Sequence, residues 1–205
     1  TWGVQHQTGW KTSSSIVTTR ADGSRPALHM KGATANFFVT DEMIPRAVDT
    51  KVFHAGGVGL MDAMDKGQTA VVMKAAKANG AATTVDVFAG SPKDLPAIAR
   101  VLPYTDYFMP SIEEARALSG REDLEDCTRF FHDMGVACCV FTLGGDGAYY
   151  SHADGTRFKV PAFAIDVKCT CGCGDAFDAG YAVALVKGFD PETAVRFAQA
   201  TSALN

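Results

Sequence analysis

The 205-residue chain has no run of about 18 or more apolar residues, the length a membrane-spanning helix requires, so no membrane partner is expected. It also lacks an excess of positive charge. Lys and Arg total 19 against 23 Asp and Glu, a net charge of −4, which leaves no basic footprint for nucleic acid. Cysteine is sparse: six residues in 205 are too few for a disulfide scaffold. Cys138-Cys139 are adjacent inside an apolar run, which reads as a buried strand. Cys169, Cys171 and Cys173 alternate in one short loop, where bridging each other is difficult. The start, Thr1 to Gln5, has neither the basic nor the apolar region of a secretion signal. A reducing, cytoplasmic setting is the expectation. Internal repeats and low-complexity tracts are missing as well. What remains, 47% hydrophobic and 20% charged residues, is the composition of one ordinary folded domain or slightly more.

Along the chain, Ser13–Thr19 is β-branched and Ala21-Asp22-Gly23-Ser24 is a turn signal, with Pro26–Met30 as a returning strand. These predict a hairpin near the N-terminus. After a helix start at Thr40-Asp41-Glu42-Met43, strands and helices alternate. Lys51–Ala55 reads as a strand ending at Gly56-Gly57, Gln68–Asn79 as a helix, and Thr83–Phe88 as a strand. Pro92–Leu102 reads as a helix, Tyr104–Met109 as a strand, and Ser111–Gly120 and Glu122–Met134 as helices. Val136–Thr142 and Ala148–Ser151 are strands flanking a Gly144–Gly147 turn, and Cys173–Lys187 and Pro191–Leu204 are helices. Such alternation predicts an α/β fold, a mostly parallel sheet with helices on both faces. Ligands of such sheets bind beyond the carboxyl ends of the strands. The first residue is not Met, and Phe197–Asn205 stops in an apolar helix without a cap. A chain truncated at both ends is therefore the expectation.

The most informative stretch is Cys171-Gly172-Cys173-Gly174-Asp175-Ala176-Phe177. Two glycines sit at the start of a helix, where backbone N–H groups point outward and the dipole favours an anion. Asp175 at that edge could accept a proton from an attacking hydroxyl. On spacing alone, a plain helix start with an acid in its first turn is an equal alternative. Thr142-Leu143-Gly144-Gly145-Asp146-Gly147 follows a predicted strand and could seat a nucleotide; alone it reads as a hairpin turn. Ser111-Ile112-Glu113-Glu114 could place Glu114 on Mg²⁺; alone it reads as a capping box.

Together these segments resemble the ribokinase-like (PfkB) carbohydrate kinase family. Cys169–Phe177 looks like that family's D-T-T-G-A-G-D-A-F signature, Thr142–Gly147 like its T-x-G-x-x-G turn, and Ser111–Glu114 like its N-x-x-E motif. The resemblance implies a ribokinase-like fold with a small β-hairpin lid. Residues 1–35 would be the lid segment and 36–205 the nucleotide-binding and phosphoryl-transfer domain. It implies Asp175 as base and the N–H groups of Gly172, Cys173 and Gly174 as the anion hole. Thr142, Gly144 and Gly147, with Gln199 near the base, would line an ATP pocket, and Glu114 would organise Mg²⁺. A sugar kinase is the implied activity, with the lid as a possible homodimer contact. A nucleoside kinase of the same fold, or a non-catalytic sugar- or nucleotide-sensing protein, stands as the alternative.

The chain departs from the family pattern at two of these positions. Cys169 replaces the acid associated with a monovalent cation, and Ser111 replaces Asn. The family's glycine-rich sugar motif and the first strands of its sheet are absent. Outside the motifs, Asp86, His54 and Asn36 fall near predicted strand ends. For His54 a hydrogen-bonded structural role is the simpler reading. Cys169, Cys171 and Cys173 do not have the spacing of a zinc site. Cys173 at a helix start is a candidate oxidation-sensitive thiol.

Overall fold

The computed structural model describes residues 8–18, 27–88, 90–167 and 169–205. Strands β1 (Ser14–Val17) and β2 (Ala27–Met30) pair antiparallel, Ser14 against Met30 and Val17 against Ala27. This is the predicted small N-terminal sheet. Its Ala21–Ser24 turn lies outside the described residues.

Helix α1 (Ile44–Ala47) leads into a six-stranded sheet. The strands are β3 (Val52–Val58), β4 (Ala82–Val87), β5 (Tyr107–Phe108), β6 (Cys138–Thr142), β7 (Ala148–His152) and β8 (Arg157–Val160). They lie in that order across the sheet. β3 to β6 run parallel, and β7 and β8 are added antiparallel. The remaining helices are α2 (Gln68–Ala78), α3 (Leu95–Ile98), α4 (Ile112–Ser119), α5 (Leu124–Asp133), α6 (Cys173–Lys187) and α7 (Pro191–Ala203).

Side-chain alternation along the strands divides the core between two faces. Val85, Val87, Phe108, Cys139 and Phe141 meet α3, α4 and α5 through Ile98, Ala115, Leu118 and Phe131. Cys138, Val140, Met109 and Tyr150 meet α6 and α7 through Phe177, Tyr181, Ala184 and Val195. Helices therefore cover both faces, as the pattern predicts. Cys138 and Cys139 are buried, unbridged thiols, also as expected.

Several boundaries differ from the sequence reading. The helix expected over Pro92–Leu102 breaks into a 3₁₀ turn, the four-residue α3 and a second 3₁₀ turn at Leu102–Tyr104. Pro96 has no N–H to donate to the Pro92 carbonyl, so the first turn and α3 do not fuse, and Pro103 has none to donate to Ala99, so α3 does not run on into Leu102–Tyr104. The same turn takes up Tyr104 and shortens β5 to two residues. β3 does not stop at Gly56-Gly57. It continues to Val58 with a register irregularity after Ala55, the kind of offset that glycine's free backbone permits. β8 is an additional strand, paired Ala148 to Val160 and Ser151 to Arg157. Among the described residues, no helix is long and apolar enough to cross a membrane.

Candidate active site

The carboxyl ends of β4, β5 and β6 and the N-terminus of α6 converge. An isolated parallel bridge pairs Ser111 with Thr142, and the Thr142 N–H donates to the Pro110 carbonyl at 3.2 Å. Two of the predicted segments are thus laid side by side. Ser111 caps α4: its N–H and its hydroxyl donate to Glu114 Oε2 at 3.0 and 2.7 Å. The capping box therefore exists, and it fixes the direction of the Glu114 carboxylate.

Opposite stands the loop before α6. Gly172 has φ +78°, a left-handed conformation natural to glycine. A Cβ there would lie 4.0 Å from Asp175 Oδ2, so the Asp175 carboxylate folds back over the loop. The loop is pinned from α7: Ser202 Oγ donates to the Cys173 carbonyl and Asn205 Nδ2 to the Cys171 carbonyl, both at 2.9 Å. The Cys173 N–H donates to Thr170 at 3.3 Å, so this predicted anion-hole donor is already engaged within the loop.

A cavity of about 450 Å³ lies between this loop and the β6–β7 turn. Thr142, Gly144, Gly147, Cys173, Gly174 and Gln199 all line it. All three predicted nucleotide-turn residues thus share one space with Gln199 and part of the α6 start. Gly144 has nothing within 4 Å on its Cβ side, whereas Gly147 is closed in by Val160. Gln199 is buried, and its Nε2 donates to the Val160 carbonyl at 3.0 Å. That bond fixes the amide orientation and leaves Oε1 buried without a partner.

The carboxylates form a coupled cluster. Burial, and then the Glu114 and Asp175 charges, raise the Asp86 carboxyl to about 7 against the N–H of Val87. Asp178, one turn beyond Asp175 on α6, is 6% exposed and raised to about 9 by burial and the charges of Asp86, Asp175 and Glu114. His54 is lowered by burial, with Asp175 opposing. Its Nδ1 is 2.9 Å from Thr84 Oγ1 and its Nε2 is 3.8 Å from Asp178 Oδ2. The hydrogen-bonded reading of His54 holds. Asp178 was not legible as a site residue. Its signal is an acid three residues after Asp175, on an otherwise apolar helix face that packs on β3 and β4.

A pH prediction follows from Asp178. The folded chain keeps a proton on it that the unfolded chain releases above about 4. Stability should therefore fall as pH rises from about 4 towards 9. Asp178→Asn should melt several degrees above wild type at pH 8, a gain on the order of 2 kcal/mol, with the gap closing near pH 4. Thermal melts across that range check it. An equal gap at both ends would remove the buried-proton account.

A second cavity, of about 510 Å³, lies beside β3. It is mostly apolar, with Phe37, Phe53, Met61 and Met64 in its lining, and it reaches the carboxylate cluster through His54.

Comparison with known proteins adds the following. The pfkB family carbohydrate kinase profile matches residues 2–205. The pseudouridine kinase of Escherichia coli is 40% identical over 88 residues, 43% of this chain and 28% of that protein. The aminoimidazole riboside kinase of Salmonella typhimurium is 28% identical over 171 residues, 80% of this chain and 53% of that protein. A candidate ribokinase II from E. coli, solved in complex with ATP and Mg²⁺, superposes with a TM-score of 0.75 at 26% identity. The match covers 96% of this chain and 65% of that one. The chain thus spans about half or less of the length of these two curated relatives and about two thirds of the solved neighbour.

Proposed function

Because the chain belongs to the pfkB family of carbohydrate kinases, we propose that the protein transfers the γ-phosphoryl group of ATP to a hydroxyl of a sugar or sugar-like small molecule. The observation that carries this reading is the position of Asp175. It stands at the first turn of α6, between the cavity lined by Thr142, Gly144 and Gly147 and the carboxylate cluster. ATP is the nucleotide held by a structural neighbour at 26% identity. Here its base would lie towards Gln199, whose unpartnered Oε1 can accept from an adenine amino group. Its phosphates would lie on the Gly172–Gly174 loop, where the α6 dipole favours negative charge.

The mechanism uses in-line displacement. Asp175 takes the proton from the acceptor hydroxyl as its oxygen bonds to phosphorus. The bond to the bridging oxygen breaks, and ADP leaves. The first-turn N–H groups of α6 meet the charge on the transferring group. The donors available for a metal are carboxylate oxygens, which suit Mg²⁺. Among the described residues, no three His, Cys, Asp or Glu are placed to hold a metal together. Glu114, its carboxylate directed by Ser111, would be the residue that holds Mg²⁺, which would neutralise phosphate charge. The β1–β2 sheet, with Ile16 and Leu28 exposed, would serve as the lid over the acceptor and as a contact between two copies.

A nucleoside acceptor is the second reading, favoured by the 40% identity to a pseudouridine kinase. One experiment tests both: ADP release from MgATP with pooled sugars and pooled nucleosides offered separately. Acceptor-dependent release is expected, and the pool that supports it names the class. A folded protein that binds ATP and releases ADP with neither pool would favour a non-catalytic sensor.

A further inference from the structure

The six cysteines fall into two sets. Cys127, Cys138 and Cys139 are buried, and burial pushes all three thiols up, Cys138 to about 12. Such thiols are inert. Cys169 and Cys171 are exposed and Cys173 is partly so, and Cys169 and Cys173 line the cavity assigned above to nucleotide. The sequence spacing argues against bridging within this trio, yet the turn at Cys171-Gly172 reverses the chain. Cys173 Sγ comes to 3.9 Å from the Cys169 carbonyl oxygen, and Cys169 Sγ accepts from the Cys171 N–H at 3.4 Å. The first and third thiols of the loop therefore sit at one short reversal. Cys173 begins α6, the helix end that favours negative charge.

We propose that Cys169 and Cys173 form a peroxide-sensitive pair that closes into a reversible disulfide across the loop before α6. The Cys173 sulfur attacks one oxygen of hydrogen peroxide. The O–O bond breaks, and the other oxygen leaves as water with the thiol proton. Cys173 is now a sulfenic acid. The Cys169 sulfur attacks it, the S–S bond forms, the S–O bond breaks and a second water leaves. Two thiols are oxidised by two electrons and one peroxide is reduced. A dithiol reductant reverses the bond. Bond formation stands on the loop geometry alone. Its consequence rests on the proposed function: the bridge ties down Gly172 and Gly174 and should weaken MgATP binding at least about tenfold, on the order of 1.4 kcal/mol.

The test reads mass, not turnover. The reduced chain is exposed to hydrogen peroxide, blocked with N-ethylmaleimide under native conditions, denatured and digested with trypsin. Cleavage after Lys168 and Lys187 puts all three loop cysteines on one peptide. The expected peptide is two hydrogens lighter apart from the one maleimide it carries on Cys171, and dithiothreitol returns two thiols, those of Cys169 and Cys173. Cys171→Ser should still bridge and Cys173→Ser should not. Three maleimides on the peroxide-treated peptide, a bridge through Cys171, or equally fast oxidation of Cys127 and Cys138 would overturn the proposal. MgATP added beforehand should slow bridging severalfold. A bridge that forms at the same rate with MgATP present supports the thiol pair and counts against the nucleotide placement.

Discussion

Asp175→Asn is expected to lower kcat on the order of 10³-fold while the Kd for MgATP changes no more than about threefold. The amide fills the same space and leaves the Ser202 and Asn205 bonds to the loop in place, but it cannot take the acceptor proton. A purely structural role makes the opposite forecast for stability. Asp175 is one of the charges that hold Asp86 and Asp178 above the ordinary carboxylate range. Removing it relieves repulsion in the cluster, so the variant should melt at or above the wild-type temperature. Loss of turnover in an equally stable, nucleotide-binding protein therefore isolates the chemistry. Coupled ADP assays, calorimetric titration with MgATP and a thermal scan on the same preparation check it. Turnover within tenfold of wild type would move the base to another group, with Asp86, raised to about 7, the next to be substituted.

The architecture was readable because the core faces are written in two periods. The alternation Cys138, Val140 against Cys139, Phe141 announces a strand buried on both sides, and the structure sends those pairs to opposite helical layers. Proline limited the reading elsewhere. Pro96 and Pro103 together break a segment whose apolar spacing alone supports a longer helix. β8 carries a period-two pattern, Arg157 and Lys159 against Phe158 and Val160, but at four residues it is short enough to pass as loop. At the site, the family resemblance brought the three motif segments together, while the contacts that join them were not legible. Two of them are joined by the bridge between Ser111 and Thr142, a contact between residues 31 positions apart. Asp178 was hidden for a related reason. Only the packing of α6 on β3 and β4 turns a helical acid into a buried neutral carboxyl facing His54.

Packing against the end of β8 sets Gly147 apart from the other two glycines of the β6–β7 turn, and Gly147→Ala should show it. Gly147 has φ +99° and ψ −129°, a region essentially closed to residues with a Cβ. An added Cβ would meet the Val160 carbonyl oxygen at 2.0 Å and the Ala162 nitrogen at 2.8 Å. Backbone strain of about 1–3 kcal/mol is joined by a clash that cannot be relieved by rotating a side chain. Relief requires moving β8, which breaks its pairing with β7 and disturbs the Val160 carbonyl that holds Gln199. A loss of roughly 3–5 kcal/mol follows, and a melting temperature lower by about 10 °C in a chain of this size. The neighbouring Gly145 has no positive φ and open space on its Cβ side, so Gly145→Ala should leave the melting temperature nearly unchanged. The pair of substitutions assigns different causes to two glycines that look equivalent in sequence. Gly147 is required by the sheet behind it, and the open sides of Gly144 and Gly145 leave room for what binds in front. Thermal and urea unfolding of both variants decide the point. A Gly147→Ala protein melting within about 2 °C of wild type would mean that β8 does not close against the turn as the structure has it.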